Sequence, residues 1–235
     1  MLNELGKGKN LDVSDSIKYY EQVNRLQMHD NQKHAIEMAV NNGVSVITGG
    51  PGTGKTTIVK CMLQIFKGMG KVVKLLAPTG RAAKRLSEST GEEASTIHRA
   101  LVVDFLSGDN MFVYNANNKL PFDVVIVDEV SMVDVMLMSY LVRALKKGTQ
   151  LVLVGDKDQL PSVGAGNVLG DIIESGVINV CELTHIYRQS ENSLIITNAH
   201  SINNSKMPLL DNKSSDFFYE AKKEPSEMLS SVVKL

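Results

Sequence analysis

The stretch VSVITGGPGTGKTT, residues 44–57, constrains the fold more than any other part of the chain. A strand-forming run ends in a glycine-rich loop, and a helical pattern begins directly behind it. Gly49 to Gly54, followed by Lys55 and Thr56, meets the phosphate-loop spacing. Such a loop works only between a strand and a helix N-terminus. Its glycines let successive N–H groups converge on phosphate oxygens, the helix dipole adds positive potential, and the lysine reaches the terminal phosphates. Gly50, Pro51, Gly52, Thr53, Gly54, Lys55, Thr56 and Thr57 are therefore the candidate nucleotide-binding residues, and Thr56 is placed to ligate Mg2+.

The remaining pattern agrees with an α/β fold. Apolar strands are expected at 44–48, 72–77, 123–128, 151–155 and 177–183, and helices near 31–41, 54–67, 80–88, 133–146 and 165–174. Near-continuous apolar strands separated by amphipathic helices imply a parallel β-sheet flanked by helices on both faces. Residues 1–30 are polar and are expected to flank the sheet, and 106–121 reads as a loop or hairpin. After His200 the chain turns polar, then offers a strand-like run at 216–219 and a helix opened by Pro225. That tail is either an appendage or, the preferred reading, the first strand and helix of a second α/β domain.

With 235 residues, 43% of them hydrophobic and 22% charged, the composition is that of a soluble globular chain. A net charge of -1 gives no overall basic field, so any nucleic-acid site must be a local patch. The sequence shows no apolar leader and no membrane-spanning run, so a cytoplasmic protein without a membrane partner is expected. Cys61 and Cys181 lack CxxC spacing and are expected as buried free thiols; the five histidines show no metal-ligand spacing.

A phosphate loop needs a second metal anchor, and the carboxylate ending a neighbouring strand can supply it. The strand at 123–128 ends in Asp128-Glu129. Asp128 is the expected Mg2+ ligand, and Glu129 can hold and polarise a water for in-line attack on a γ-phosphate. The pair favours hydrolysis over transfer to a small acceptor. Guanine recognition would want Asn-Lys-x-Asp. The nearest candidate, Asn212-Lys213-Ser214-Ser215, ends in serine, so ATP is the expected nucleotide. Gln32, at the start of the helix before the loop, is either an amide that reads adenine or a solvated helix residue.

Positions 71–85 carry Lys71, Lys74, Arg81, Lys84 and Arg85 and no acid. Behind the strand end at Pro78, the Thr79 hydroxyl, bare N–H groups and Arg81 at a helix start can hold nucleic-acid phosphates. A solvated helix face is the plainer reading. Thr96, His98 and Arg99 repeat that chemistry before an apolar helix, or form a helix cap. The strand at 151–155 runs into Asp156-Lys157-Asp158-Gln159, then Pro161 and a loop holding Ser162, Gly164 and Asn167.

In chain order, GGPGTGKTT, LLAPTGRAAKRL, ASTIHRAL, VVIVDEVSMVD, LVLVGDKDQLPSVGAGNVLGDII and LTHIYRQSENSLIITNAHSIN resemble the motifs of RecD-like superfamily 1 DNA helicases. That group includes the helicase part of TraA-type conjugation proteins. The resemblance spans residues 28–220. It implies a RecA-like P-loop NTPase as first motor domain at 31–205, with 1–30 flanking it and 206–235 as the start of a truncated second RecA-like domain. It also implies ATP hydrolysis with Mg2+, 5′ to 3′ movement on single-stranded DNA, duplex unwinding by a longer parent, and partners in recombination, repair or conjugation. By motif, Lys55, Asp128 and Glu129 match the loop lysine, metal ligand and catalytic carboxylate. Gln159 matches a γ-phosphate sensor, and Arg188 an arginine that reaches the γ-phosphate. Pro78, Thr79, Arg81, Thr96, His98 and Arg99, with Ser162, Gly164 and Asn167, fall in segments resembling DNA-contacting motifs. One loop thus joins the sensor to a strand-contacting stretch.

The chain departs from that family in two respects. The family completes its ATP site with an arginine from a second RecA-like domain, of which only the start is expected here. Alone, the chain should bind ATP weakly, hydrolyse it slowly and not unwind duplex. Aromatic residues are 5% with no tryptophan, so the groove is expected to grip backbone rather than stack bases, with strong salt dependence. Two other classes compete. A protein-remodelling P-loop ATPase would lack the basic 71–85 segment and the glycine loop after Gln159. A non-hydrolysing nucleotide-binding module would have no need of Glu129.

Overall fold

The central strands bury both faces, and the period of two decides which core each residue enters. In β4 (Val124–Val127), Val124 and Ile126 face one core and Val125 and Val127 the other. In β5 (Gln150–Gly155), Val152 and Val154 are set against Leu151 and Leu153 in the same way. The computed structural model describes residues 5, 10–103, 112–185, 193–213 and 216–234. These strands join β1 (Val44–Gly49), β2 (Val73–Ala77), β3 (Ala94–Thr96) and β6 (Asn179–Leu183) in a 6-stranded sheet. The order is β3-β2-β4-β5-β1-β6, and every pairing is parallel.

Helices α1 (Ser14–Asn24), α2 (Asp30–Asn41), α3 (Lys55–Gly68) and α4 (Gly80–Thr90) supply the core on one face. α5 (Ile97–Leu101), α6 (Val135–Ala144) and α7 (Val168–Glu174) supply the other. Their ends follow local chemistry. Asp134 caps α6 by accepting from the Leu137 N–H at 2.8 Å, and α4 stops at Gly91 in the left-handed region, φ 74. Among the described residues no helix is long and apolar enough to cross a membrane.

Three expectations change. The five expected strands are present, but β3 is a sixth: Ala-Ser-Thr is too short and polar to register as an apolar run, and it forms by pairing with β2. α1 does more than flank the sheet, since Ile17 and Tyr20 are buried in the core with Val13. Within the expected loop or hairpin, residues 106–111 lie outside the described residues; Phe112 is buried and bridges antiparallel to Val103, and Leu120 pairs with Leu145.

The chain divides into two compact units, Met1–His185 and Ile186–Leu235, so the division falls before the expected 205/206. The second unit holds α8 (Leu194–Asn203) and α9 (Pro225–Lys234). The strand expected at 216–219 is not formed. Instead, the Asn212 side-chain amide takes both backbone groups of Tyr219, accepting from its N–H at 2.6 Å and donating to its carbonyl at 2.8 Å. A side chain thus occupies the hydrogen bonds a neighbouring strand would need. Met228, Leu229, Val232 and Val233 of α9 remain exposed.

Candidate nucleotide and nucleic-acid site

Because all the strands are parallel, their carboxyl ends share one edge, and the loops leaving it carry most of the candidate residues. The chain leaves β1 toward β2 and leaves β5 toward β6, in opposite directions across the sheet. A crevice opens where such connections diverge. The neighbour of β1 on this side is β5, not β4. Asp128 and Glu129 therefore approach the phosphate loop across β5, two strand spacings or about 10 Å away, and not from an adjacent strand.

The loop at 49–54 is closed on itself. A Cβ on Gly49 would stand 2.9 Å from the Cβ and the carbonyl oxygen of Leu183 in β6 and from Thr53 Oγ1, so only glycine fits. Gly52 and Gly54 take left-handed φ values of 78 and 83. Buried Thr53 donates its hydroxyl to the Gly50 carbonyl at 2.9 Å. Lys55 Nζ folds back to donate to the carbonyls of Gly49 and Gly50 at 2.5 and 3.0 Å. Burial lowers its pKa, and the charges of Asp156, Glu129 and Asp128 oppose that shift. Thr56 is exposed and Thr57 half-buried on the first turn of α3, while Pro51 is exposed in the loop.

Gln32 is neither solvated nor free. It is buried; its Nε2 donates to the Thr53 carbonyl at 3.1 Å, and its Oε1 accepts from the His29 N–H at 3.2 Å. It braces the phosphate loop.

At the end of β4, burial pushes the Asp128 carboxyl up to about 6, and the neighbouring Glu129 charge adds to the shift; the Glu129 N–H, Lys55 and Arg85 pull the other way. Glu129 itself sits in the left-handed region at φ 54, ψ 42. For a residue with a Cβ that conformation costs about 1–3 kcal/mol and clusters at functional sites. It breaks the strand's alternation and starts the 3-10 turn Val130–Met132. Both carboxylates consequently act on Lys55. Thr56 and Asp128 offer hard oxygen donors of the kind Mg2+ takes, with the remaining ligands left to phosphates and water. A cation would also offset the burial that opposes ionisation of Asp128. Among the described residues no group of three or more His, Cys, Asp or Glu could hold a metal.

The Asp-Lys-Asp-Gln run after β5 has a defined job at each position. Buried Asp156 accepts the Asp158 N–H on its carboxylate at 3.0 Å, and its carbonyl accepts the Gln159 N–H at 3.3 Å. The Lys157 N–H donates to Thr48 Oγ1 in β1 at 3.1 Å, and its Nζ pairs with Glu182 in β6 at 2.8 Å. The turn thereby presents an exposed Gln159 side chain, whose Oε1 accepts from the Ser131 hydroxyl at 3.3 Å. Arg188 lies outside the described residues.

The segments resembling DNA-contacting motifs leave the same edge from β2, β3 and β5. Thr79 and Thr96 cap α4 and α5 by accepting from the N–H groups of Ala82 and Arg99 at 3.2 and 3.1 Å. Capping uses a hydroxyl lone pair and leaves its proton free to donate to a phosphate. Arg81 and Arg99 are exposed and form no ion pair among the described residues. Pro78 is half-buried, and the exposed His98 tilts toward Phe112 with ring centroids 6.0 Å apart. The Ser162 proton is used inside its own loop, toward the Gly164 and Gly166 carbonyls. Asn167 caps α7 through Oδ1, at 3.3 Å from the Gly170 N–H, with its amide N–H2 left over. Gly164 presses on Asp134, where a Cβ would stand 2.3 Å from Oδ2.

The structure thus gathers Lys55, Asp128, Glu129 and Gln159 at the ends of β1, β4 and β5, and the free arginines at the ends of β2 and β3. Sequence reasoning gave Asp156 no role, counted Arg85 only within the basic run at 71–85, and passed over Ser131. The Asp-x-Asp spacing could have revealed Asp156 as a turn former. Nothing in the apolar run EVSMV marks Ser131.

Fold and site together define a RecA-like P-loop ATPase. The chain matches the family described as an AAA domain over residues 32–165, more than half its length, and it belongs to that family. It is 39% identical over 189 residues to the ATP-dependent RecD2 DNA helicase of Deinococcus radiodurans, covering 80% of this chain and 26% of that one. It is 39% identical over 186 residues to the RecBCD enzyme subunit RecD of Mycolicibacterium smegmatis, covering 69% of this chain and 33% of that one. The crystal structure of Pif1 helicase from Candida albicans shares the fold, with a TM-score of 0.60, 23% identity, and coverage of 78% of this chain and 45% of that one. The similarity to these RecD-type proteins covers most of this chain. The chain spans between a quarter and a third of the two curated relatives' lengths.

Proposed function

We propose that this chain is the nucleotide-binding motor half of a DNA helicase that couples ATP hydrolysis to 5′ to 3′ movement along single-stranded DNA. A longer parent would supply a second RecA-like domain and would carry out unwinding. One observation supports this above the rest. Phosphate chemistry on β1, β4 and β5 shares a sheet edge with Arg81 and Arg99, which form no ion pair among the described residues, and with donor hydroxyls on β2 and β3. Arginine and hydroxyl donors without protein partners suit a phosphate backbone and carry no sequence preference.

In this reading Lys55 leaves the Gly49 and Gly50 carbonyls to meet the phosphates of ATP, which are held on the bare N–H groups of the loop from Gly52 and of the first turn of α3. Mg2+, held by Thr56 and Asp128, would supply charge neutralisation at those phosphates. Glu129 orients the attacking water and takes its proton. Gln159 donates to the γ-phosphate, and Arg188 adds positive charge as negative charge develops. Pro78, Thr79, Arg81, Thr96, His98 and Arg99, with the loop from Ser162 through Gly164 to Asn167, line the path of the strand. A cytoplasmic setting follows from the substrate. The RecD name of one relative marks it as a RecBCD enzyme subunit, so recombination, repair or conjugation proteins are the partners to expect.

The test is ATP turnover with and without single-stranded DNA, for this chain and for a parent containing the second domain. DNA should stimulate the parent strongly and this chain hardly at all, and the stimulation should fall steeply with salt. An absence of any DNA effect on either protein would remove the coupling and favour an ATPase that remodels proteins.

A further inference from the structure

We infer that Ser131 is a positioning residue that holds the Gln159 amide by its oxygen and leaves the nitrogen to face the γ-phosphate. The inference rests on the reading of Gln159 as the γ-phosphate sensor. A glutamine amide can offer either a carbonyl or an N–H2 group, and only the second attracts a phosphate oxygen. The Ser131 hydroxyl donates to Gln159 Oε1 at 3.3 Å. With the carbonyl end held, Nε2 is the end left to donate.

Three further observations make this a built arrangement. Ser131 is 7% exposed, in a turn whose neighbours Val130 and Val133 are buried in the core. Such a buried hydroxyl needs a partner, and among the described residues its side-chain hydrogen bond is to Gln159. The turn and the end of β5 are pressed together, since a Cβ on Gly155 would lie 3.3 Å from the Val130 N and 3.4 Å from the Ser131 N. On the other side, the Gln159 N–H is tied to the Asp156 carbonyl at 3.3 Å. The backbone of Gln159 is thus set by the turn after β5, and its side chain by the turn after β4.

The turn after β4 is the one that starts at left-handed Glu129. The water-activating carboxylate and the hydroxyl that orients the sensor therefore sit two residues apart on one short, strained segment. A shift of that segment moves both together. Hydrolysis and the detection of its outcome are then set by the same piece of backbone. The 3.3 Å separation is long for O–H···O, and contacts of this kind tighten when substrate arrives.

The experiment measures binding of ADP and of the β,γ-imido analogue of ATP, each with Mg2+, to the whole chain. Ser131→Ala should lower the preference for the ATP analogue over ADP by about fivefold, the scale of one neutral hydrogen bond, and leave ADP affinity unchanged. Ser131→Thr, which keeps the hydroxyl, should restore the preference. Gln159→Ala should lose it too, and the double variant should lose no more than Gln159→Ala alone. If Ser131→Ala loses ADP binding as well, Ser131→Cys is measured, because it keeps the volume but donates poorly. Equal loss of both nucleotides in the Ala and Cys variants would show a purely structural role and overturn the inference. So would an unchanged preference in Ser131→Ala beside a lost one in Gln159→Ala. If Gln159→Ala itself has no effect, the sensor reading fails and the inference falls with it.

Discussion

The loops leaving β1 and β5 are both glycine-rich and leave the same sheet edge, yet they are built on opposite plans. The β1 loop satisfies itself: Thr53 and Lys55 bond to its own carbonyls, Gln32 braces it from α2, and Leu183 closes over Gly49. The β5 loop is open. Leu160 is 87% and Val163 110% exposed, and it is held chiefly where it meets α6, through Val135 and Asp134. A cradle for a small, highly charged ligand must be set before the ligand arrives, because reorganisation would consume binding energy. A loop that reports on that ligand must instead be attached to something that can move. Its attachments, Ser131 at one end and Asp134 farther along, both belong to the segment that follows β4.

The largest expected effect breaks the closed loop. Lys55→Ala should lower ATP turnover by about a hundredfold or more, the usual loss for one charge-stabilising donor. The fold should survive, because Lys55 bonds only to carbonyls of the loop that it follows and belongs to neither core. Turnover and far-ultraviolet circular dichroism on the same sample check this. Turnover within threefold of the parent would mean that the phosphate loop is not the reacting site.

Asp128 gives the next effect, and its sign is opposite for stability and activity. In the fold its carboxyl holds a proton up to about pH 6; its ordinary value is 3.8. Between those values the folded chain binds more protons than the unfolded one, so stability falls as pH rises from about 4 to 6 and stays lower above. The penalty at neutral pH is up to about 3 kcal/mol, less whatever water access screens. Asp128→Asn should therefore raise the melting temperature of metal-free protein at pH 7.5. The gain should shrink as pH falls toward 4, and hydrolysis should be lost. Thermal melts across that range decide it, and a lower melting temperature for Asp128→Asn at pH 7.5 would refute the burial argument.

The difference between the two loops was only half visible in the sequence. The phosphate loop announces itself because its function requires glycines, lysine and threonine at fixed spacing, and the β-branched runs of β1, β4 and β5 announce the sheet. Strand order was not legible: that β5, and not β4, adjoins β1 depends on pairings between distant segments. β3 escaped because a polar tripeptide becomes a strand only when β2 offers it an edge. The run at 216–219 misled for the converse reason, since Asn212 supplies the bonds that a strand partner would have made. Gln32 was left between reading adenine and lying in solvent, because helix periodicity does not say that the phosphate loop will fold over it. Thr96 was legible as a cap, because N-cap chemistry is local. Ser131 was not, because the bond that gives it meaning reaches a residue on another strand's loop.

The smallest expected effect sharpens the contrast at the open loop. Gly164→Ala puts a methyl group into the Asp134 carboxylate, so either the loop or the α6 cap must give way. Overpacking of this size costs about 1–3 kcal/mol, and loss of the cap about 1 kcal/mol. Because exposed parts of the loop can move, the lower end of that range is expected, read as a fall of a few degrees in melting temperature. Leu160→Ser and Val163→Ser, at side chains with almost no contacts to lose, should fall within about 0.5 kcal/mol of the parent. Should these two destabilise the chain as much as Gly164→Ala, the loop would be packed after all. If Gly164→Ala were neutral for stability yet altered the dependence of turnover on DNA, its contact with Asp134 would be a route of coupling and not a structural anchor.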